Sequence, residues 1–145
     1  MHRGYNKEKF IQKVDMIRGI IPDVSLTTDI IVGFPGETDD DFQDTMDIVK
    51  YVEFDSVYMF QFSPRPGTKA YDMEDEFVDQ DIIKKRFQHL KDVQTDISEK
   101  RLKRFVGTEQ VLLIEKQSKK NNKVLTGKID SGQITHIDNK NVSTG

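Results

Sequence analysis

The sequence predicts an α/β protein built on parallel strands and followed by a small all-β portion. Two apolar, β-rich runs carry the first part: residues 27–33 (TTDIIVG) and about 55–63 (DSVYMFQFS), each preceded by a stretch of helical periodicity. Helix, strand, helix, strand at this spacing is the grammar of a parallel sheet or barrel. A change of texture after Glu109 carries the second part. There EQVLLIEK, NKVLTGKI and QITHID are separated by the turn-rich SKKNN and DSG, as expected of short antiparallel strands. Two parallel strands before residue 105 are too few to close a (β/α) barrel, so a piece of something larger is expected. The boundary is placed at Gly107, giving residues 1–106 and 107–145.

The elements follow in order. Asn6 is a good N-cap, and Phe10, Val14, Ile17 and Ile21 recur at helical spacing up to Pro22, which predicts a helix over 7–20. Strand 27–33 comes next. A helix over about 39–52 shows Phe42, Met46, Val49 and Val52 on one face, with Thr38 or Asp39 as its cap. Asp39 to Asp41 sit where the positive end of the helix dipole favours anions, so helix stability alone accounts for them. In the second strand, alternation separates Tyr58, Phe60 and Phe62 from Val57, Met59, Gln61 and Ser63. The aromatic set is expected under the helices, with Gln61 and Ser63 sharing a concave face with Asp29. After the turn-rich Ser63-Pro64-Arg65-Pro66-Gly67-Thr68, a long helix over about 80–104 is expected to bury Ile83, Phe87, Leu90, Ile97 and Leu102.

Composition narrows the class. With 35% hydrophobic and 32% charged residues among 145, the chain reads as globular and charge-rich. It has no apolar run long enough to span a bilayer, so no membrane partner is expected and the default location is the cytoplasm. The absence of cysteine excludes disulfides, thiolate metal sites and cysteine nucleophiles within these residues. His2, His89 and His136 lack metal-ligand spacing, no Ser-His-Asp arrangement stands out, and no P-loop is present. Hence no metal ligand and no catalytic residue is assigned.

Charge is unevenly distributed: residues 1–36 carry 5 basic and 4 acidic groups, 37–81 carry 3 and 14, and 82–145 carry 14 and 7. The basic last portion could face phosphates or be an ordinary solvated surface. Its candidate cations are Lys100, Arg101, Lys103 and Arg104 on the long helix and Lys116, Lys119, Lys120, Lys123 and Lys128 in the β portion.

Ligands of parallel sheets bind beyond the carboxyl ends of the strands. The loops there are 33–37 and 63–68. Asp29, Ile31 and Gly33 share one strand face. A carboxylate inside an apolar strand needs donors, which a ribose diol, a cationic ligand, or a protein hydroxyl or arginine would supply. The glycines allow close backbone approach to a ligand or simply make the turn.

Four stretches, MHRGY, TTDIIVGFPGETDDDF, FDSVYMFQFSPRPGTKA and SKKNNKVLTG, in this order and spacing, resemble the methylthiotransferase family of radical S-adenosylmethionine (SAM) enzymes. The likeness is strongest to the branch that adds a methylthio group to isopentenylated adenosine beside the tRNA anticodon, and it covers nearly the whole chain. It implies the C-terminal half of a radical SAM (β/α) partial barrel followed by an incomplete TRAM domain, a small OB-like RNA-binding β-barrel.

The implied cofactors are SAM and two [4Fe-4S] clusters, the latter held by cysteines that precede the matched region and not ligated by this chain, which is therefore expected to be inactive alone. The implied partners are the tRNA anticodon stem-loop and the preceding cluster domain and first barrel half, with self-association of an open-edged piece. Position by position, the resemblance assigns Arg3, Asp29, Ile31, Gly33, Gly36 and Ser63 to the cofactor. It assigns Arg65, Thr68, Lys119, Lys120, Lys123 and Lys128 to substrate or RNA. Two alternatives stay open: a stand-alone RNA-binding module, or a methylthiotransferase acting on a ribosomal protein or on threonylcarbamoyladenosine in tRNA.

Overall fold

The structure is a computed structural model that describes Gly4, residues 6–119 and residues 121–139. It divides into two compact units, one up to Lys103 and the other from Arg104.

The first unit contains α1 (Lys7–Ile20), β1 (Thr27–Val32), α2 (Asp39–Val52), β2 (Ser56–Gln61) and α3 (Gln80–Leu102). The strands pair in parallel, Thr27 opposite Ser56 through Val32 opposite Gln61, as the alternation of helix and strand predicts. Among the described residues β1 pairs with β2 alone. Each helix start carries the expected chemistry. The Asn6 side chain accepts the Lys9 N–H. Thr38 and Asp41 exchange a reciprocal capping box at the start of α2, and Asp79 caps α3 by accepting from Asp81 and Ile82, satisfying donors that a helix leaves unpaired.

One side of the two-stranded sheet is covered. Val32 and Val57 pack with Met46, Val49 and Val52 of α2, Leu90 and Ile97 of α3, Val14 of α1 and Phe54, and Ile30 and Met59 join them. The expectation for β2 is reversed here. Because Asp29 lies opposite Tyr58 and Ile31 opposite Phe60, these four share the uncovered face, where Tyr58 is 62% and Phe60 53% exposed. Gln61 belongs to the alternate set, with Met59 and the buried Val57. Alternation groups the aromatics correctly but does not say which face is covered, and it is Val57 that joins the core against α3.

The long helix differs from its expected stripe at one end. Its buried residues are Ile83, Arg86, Leu90, Gln94 and Ile97, whereas Leu102 is 48% exposed. Its polar residues face inward at both ends of the sheet. Gln94 Nε2 donates to the Phe54 carbonyl at 2.8 Å, Ser98 Oγ to the Asp55 carbonyl at 3.1 Å, and Arg101 reaches the Asp55 carboxylate at 3.3 Å. Asp55 also accepts the Leu26 N–H at 3.0 Å, which ties the start of β1 to the start of β2.

The second unit is an antiparallel meander of β3 (Leu112–Gln117), β4 (Val124–Ile129) and β5 (Ile134–Asp138). The register of β3 shifts between Ile114 and Lys116, leaving Glu115 as a bulge. Leu125 and Ile129 are its buried apolar residues. Gly127 is required where the strands close up, since a Cβ there would lie 2.2 Å from the Leu113 carbonyl oxygen.

Candidate functional site

The carboxyl end of β1 runs directly into Gly33-Phe34-Pro35-Gly36-Glu37. Gly33 and Gly36 both take positive φ, 76° and 77°, so the chain reverses sharply there at no Cβ cost. The elbow is seated on α3, and a Cβ on Gly33 would come within 2.4 Å of Ile83 Cγ1. Three of its four N–H groups have acceptors within the protein. Gly33 donates to Glu37 Oε2 at 3.1 Å, Gly36 to the Glu76 carbonyl at 2.8 Å and Glu37 to the Phe34 carbonyl at 2.9 Å. With three of four donors spent internally, the elbow lacks the converging set of backbone N–H groups that an anion cradle needs. It can act as a close-packed wall.

Arg86 closes the elbow from α3. One guanidinium nitrogen meets Glu37 Oε1 and the other meets Asp39 Oδ1, both at 2.6 Å. The Arg86 and Glu37 side chains are only 8% and 11% exposed. Burial pulls the Arg86 pKa down, but its hydrogen bonds to Asp39 and Glu37 and their charges outweigh that and leave it raised.

Beside the elbow, Ile31, Phe34, Phe60, Gln61, Phe62, Ser63, Arg65, Thr68 and Ala70 line a cavity of about 330 Å³. Four of the sequence-derived candidates, Ile31, Ser63, Arg65 and Thr68, thus come together. The aromatic wall is braced by edge contacts of Phe62 with Phe34 and Phe77, at centroid distances of 5.5 and 5.6 Å. The Thr68 hydroxyl donates to the Arg65 carbonyl at 2.8 Å, which shapes the loop while the Arg65 side chain stays exposed. An apolar, aromatic-lined hollow with a few polar groups at its rim is the usual form of a small-molecule site.

Asp29 stands one step down the same sheet face, beside Tyr58. It is exposed, so it needs no buried partner of the kind an apolar strand suggested. It also lines a groove along the edge of β1 with Asn6, Lys7, Phe10 and Thr28. Gly33 is turned toward α3, and Gly36 lines a separate hollow with Pro35, Glu37 and Asp41. Arg3 lies outside the described residues.

Among the basic candidates, Lys119 and Lys123 are exposed in the connection from β3 to β4. Lys128 projects from β4 at 3.5 Å from Glu115, and Lys120 lies outside the described residues. Within the first unit Arg101 is engaged with the buried Asp55, so it is not the free phosphate contact its position suggested, while Lys100 pairs with Glu53 but stays 67% exposed. Sequence reasoning missed Phe60, Glu37 and Arg86 as site residues. A signal for Arg86 was present, because positions 83, 86, 90, 94 and 97 keep strict helical spacing.

No family model matches the chain. Curated relatives do: a tRNA-2-methylthio-N(6)-dimethylallyladenosine synthase of Fusobacterium nucleatum is 46% identical over 134 residues, which is 92% of this chain and 31% of that protein. Proteins of the same name from Finegoldia magna and Acetivibrio thermocellus are 42% and 45% identical, covering 94% and 95% of this chain but 30% and 28% of their own lengths. The chain therefore spans about a third of the length of the curated relatives it matches.

Proposed function

Because this chain belongs to the tRNA methylthiotransferase family over the segment it spans, we propose that its first unit is one wall of a SAM and substrate pocket and residues 107–145 part of an RNA-binding surface. The substrate class follows the relatives' name, an N6-dimethylallyl adenosine in tRNA. The single observation that carries the reading is the gathering of Ile31, Phe60, Ser63, Arg65 and Thr68 at one cavity, with Asp29 on the same open face.

In this reading SAM supplies the radical chemistry of the family when bound with a reduced iron–sulfur cluster. The residues of this chain bind and orient. Asp29 accepts from the ribose hydroxyls, having no hydrogen-bond partner within the protein among the described residues. Ile31 and Phe34 exclude water from the nucleoside, and Phe60 offers a ring to a base or to its apolar substituent. Arg65 at the rim is suited to a phosphate or to stacking on a base. The clusters do not fit these residues, since they are held by thiolates and the chain has no cysteine. No step through a cluster is assigned to it.

Titration of the chain with S-adenosylhomocysteine by calorimetry tests the site. Asp29→Ala is expected to weaken binding roughly ten- to hundredfold, as the loss of a charge-assisted hydrogen bond predicts. Equal affinity in a folded variant would remove Asp29 from the site. Anaerobic treatment of the 145 residues with iron, sulfide and reductant is expected to yield no 5′-deoxyadenosine from SAM. Stoichiometric cleavage would overturn the assignment of all cluster chemistry to residues outside this chain.

A further inference from the structure

We propose that Arg86 and Glu37 form a latch that sets the elbow, and through it the Ile31 and Phe34 wall, making both of them positioning residues for the nucleoside. The inference rests on the pocket reading above. The Glu37 carboxylate is divided between two duties: Oε2 accepts the Gly33 N–H at 3.1 Å and Oε1 meets Arg86 at 2.6 Å. The same guanidinium nitrogen also donates to the Glu37 carbonyl at 3.2 Å. One side chain from α3 therefore holds both the backbone and the side chain of the residue that holds Gly33.

Three features distinguish this pair from a surface ion pair. It is nearly enclosed, and burying an ion pair costs desolvation that a packed apolar pair would avoid, so its use here is geometric. It lies one helical turn from Ile83, whose side chain occupies the space a Gly33 Cβ would need, so the elbow is located by shape and by charge from one helix face. The Phe42 ring lies 5.5 Å from the guanidinium carbon, which restricts its swing. By contrast Asp39, which meets the other guanidinium nitrogen, has a 97% exposed side chain and holds no elbow N–H, so it separates charge on Arg86 from the grip on Gly33. Asp39 is thus an internal control.

The test uses the full chain and two readouts, amide hydrogen exchange at Gly33 and affinity for S-adenosylhomocysteine. Arg86→Gln and Glu37→Ala are expected to speed Gly33 exchange and weaken binding, each about tenfold or more, while Asp39→Asn changes neither beyond about twofold. Exchange at Val49, inside α2, is expected to stay near wild type. If Val49 and Gly33 accelerate together in both variants, the pair serves global stability and the latch is overturned. Unchanged affinity in Arg86→Gln, in a chain whose wild type binds, also overturns it while leaving the pocket reading standing. A wild type that binds no S-adenosylhomocysteine removes the pocket reading and the latch with it.

Discussion

The Asp55 side chain is 1% exposed, yet it lies at the amino end of β2, the end away from the cavity, so its work is cohesion. It accepts the Leu26 N–H and pairs with Arg101, and the Arg101 guanidinium also reaches the Val24 carbonyl at 3.4 Å. Removing one partner of an enclosed pair leaves the other charge uncompensated, a far larger loss than deleting both. Asp55→Ala is expected to lower unfolding free energy by about 3–5 kcal/mol in urea titrations. A loss below about 1 kcal/mol would show that water reaches Arg101 freely. Neither residue was legible in sequence. Asp55 read as the first residue of a strand and Arg101 as one of four cations available to phosphate, because a sequence lists charges without saying which of them are already paired.

At the scale of elements, local chemistry was read well. The bounds of α1 and α2 follow from Asn6, Pro22 and Thr38, since capping and helix stops are decided by near neighbours. The α2 cap also has a pH signature. The Thr38 hydroxyl, then the Thr38 backbone N–H, hold the Asp41 carboxyl below its ordinary 3.8. A carboxyl with a depressed folded pKa contributes stability that is fully present above its unfolded value and disappears as pH falls through the folded one. The melting-temperature gap between wild type and Asp41→Asn is therefore expected to be largest near neutrality and to shrink as pH falls below 3.8 and through the lowered folded value. A gap that does not change with pH would show that Asp41 contributes to the cap without its charge.

For the whole molecule, the polarity of charge survives in reduced form. With Arg101 bound to the buried Asp55, the cations proposed for RNA centre on Lys116, Lys119, Lys123 and Lys128 of the β portion, the last also 3.5 Å from Glu115. About four phosphate contacts from these predict that log K for a single-stranded RNA falls with log salt at a slope of about −3. Replacing Lys119 and Lys123 with Gln is expected to flatten the slope by about 1.4. Filter-binding titrations across salt concentrations read it directly, and an unaltered slope would remove both lysines from the contact set.

The sequence by itself determined the class of fold, the order of helices and strands, the parallel pairing and the loops from which the cavity is built. All of these follow from periodicity, capping and turn residues that act over a few positions. It also determined that Asp29 and Ile31 share a face, because strand alternation is strictly local. Only the tertiary structure decided which face of β2 is covered. Alternation groups Tyr58 with Phe60 and Val57 with Met59, but which pair joins the core depends on register with β1 and on the face that the helices cover. It likewise decided what the glycine elbow does. Glu37 and Arg86 stand 49 residues apart, and only when α3 folds back across the sheet does Arg86 fix the carboxylate that accepts the Gly33 N–H, so that glycines which could equally have served close approach or a turn form a wall.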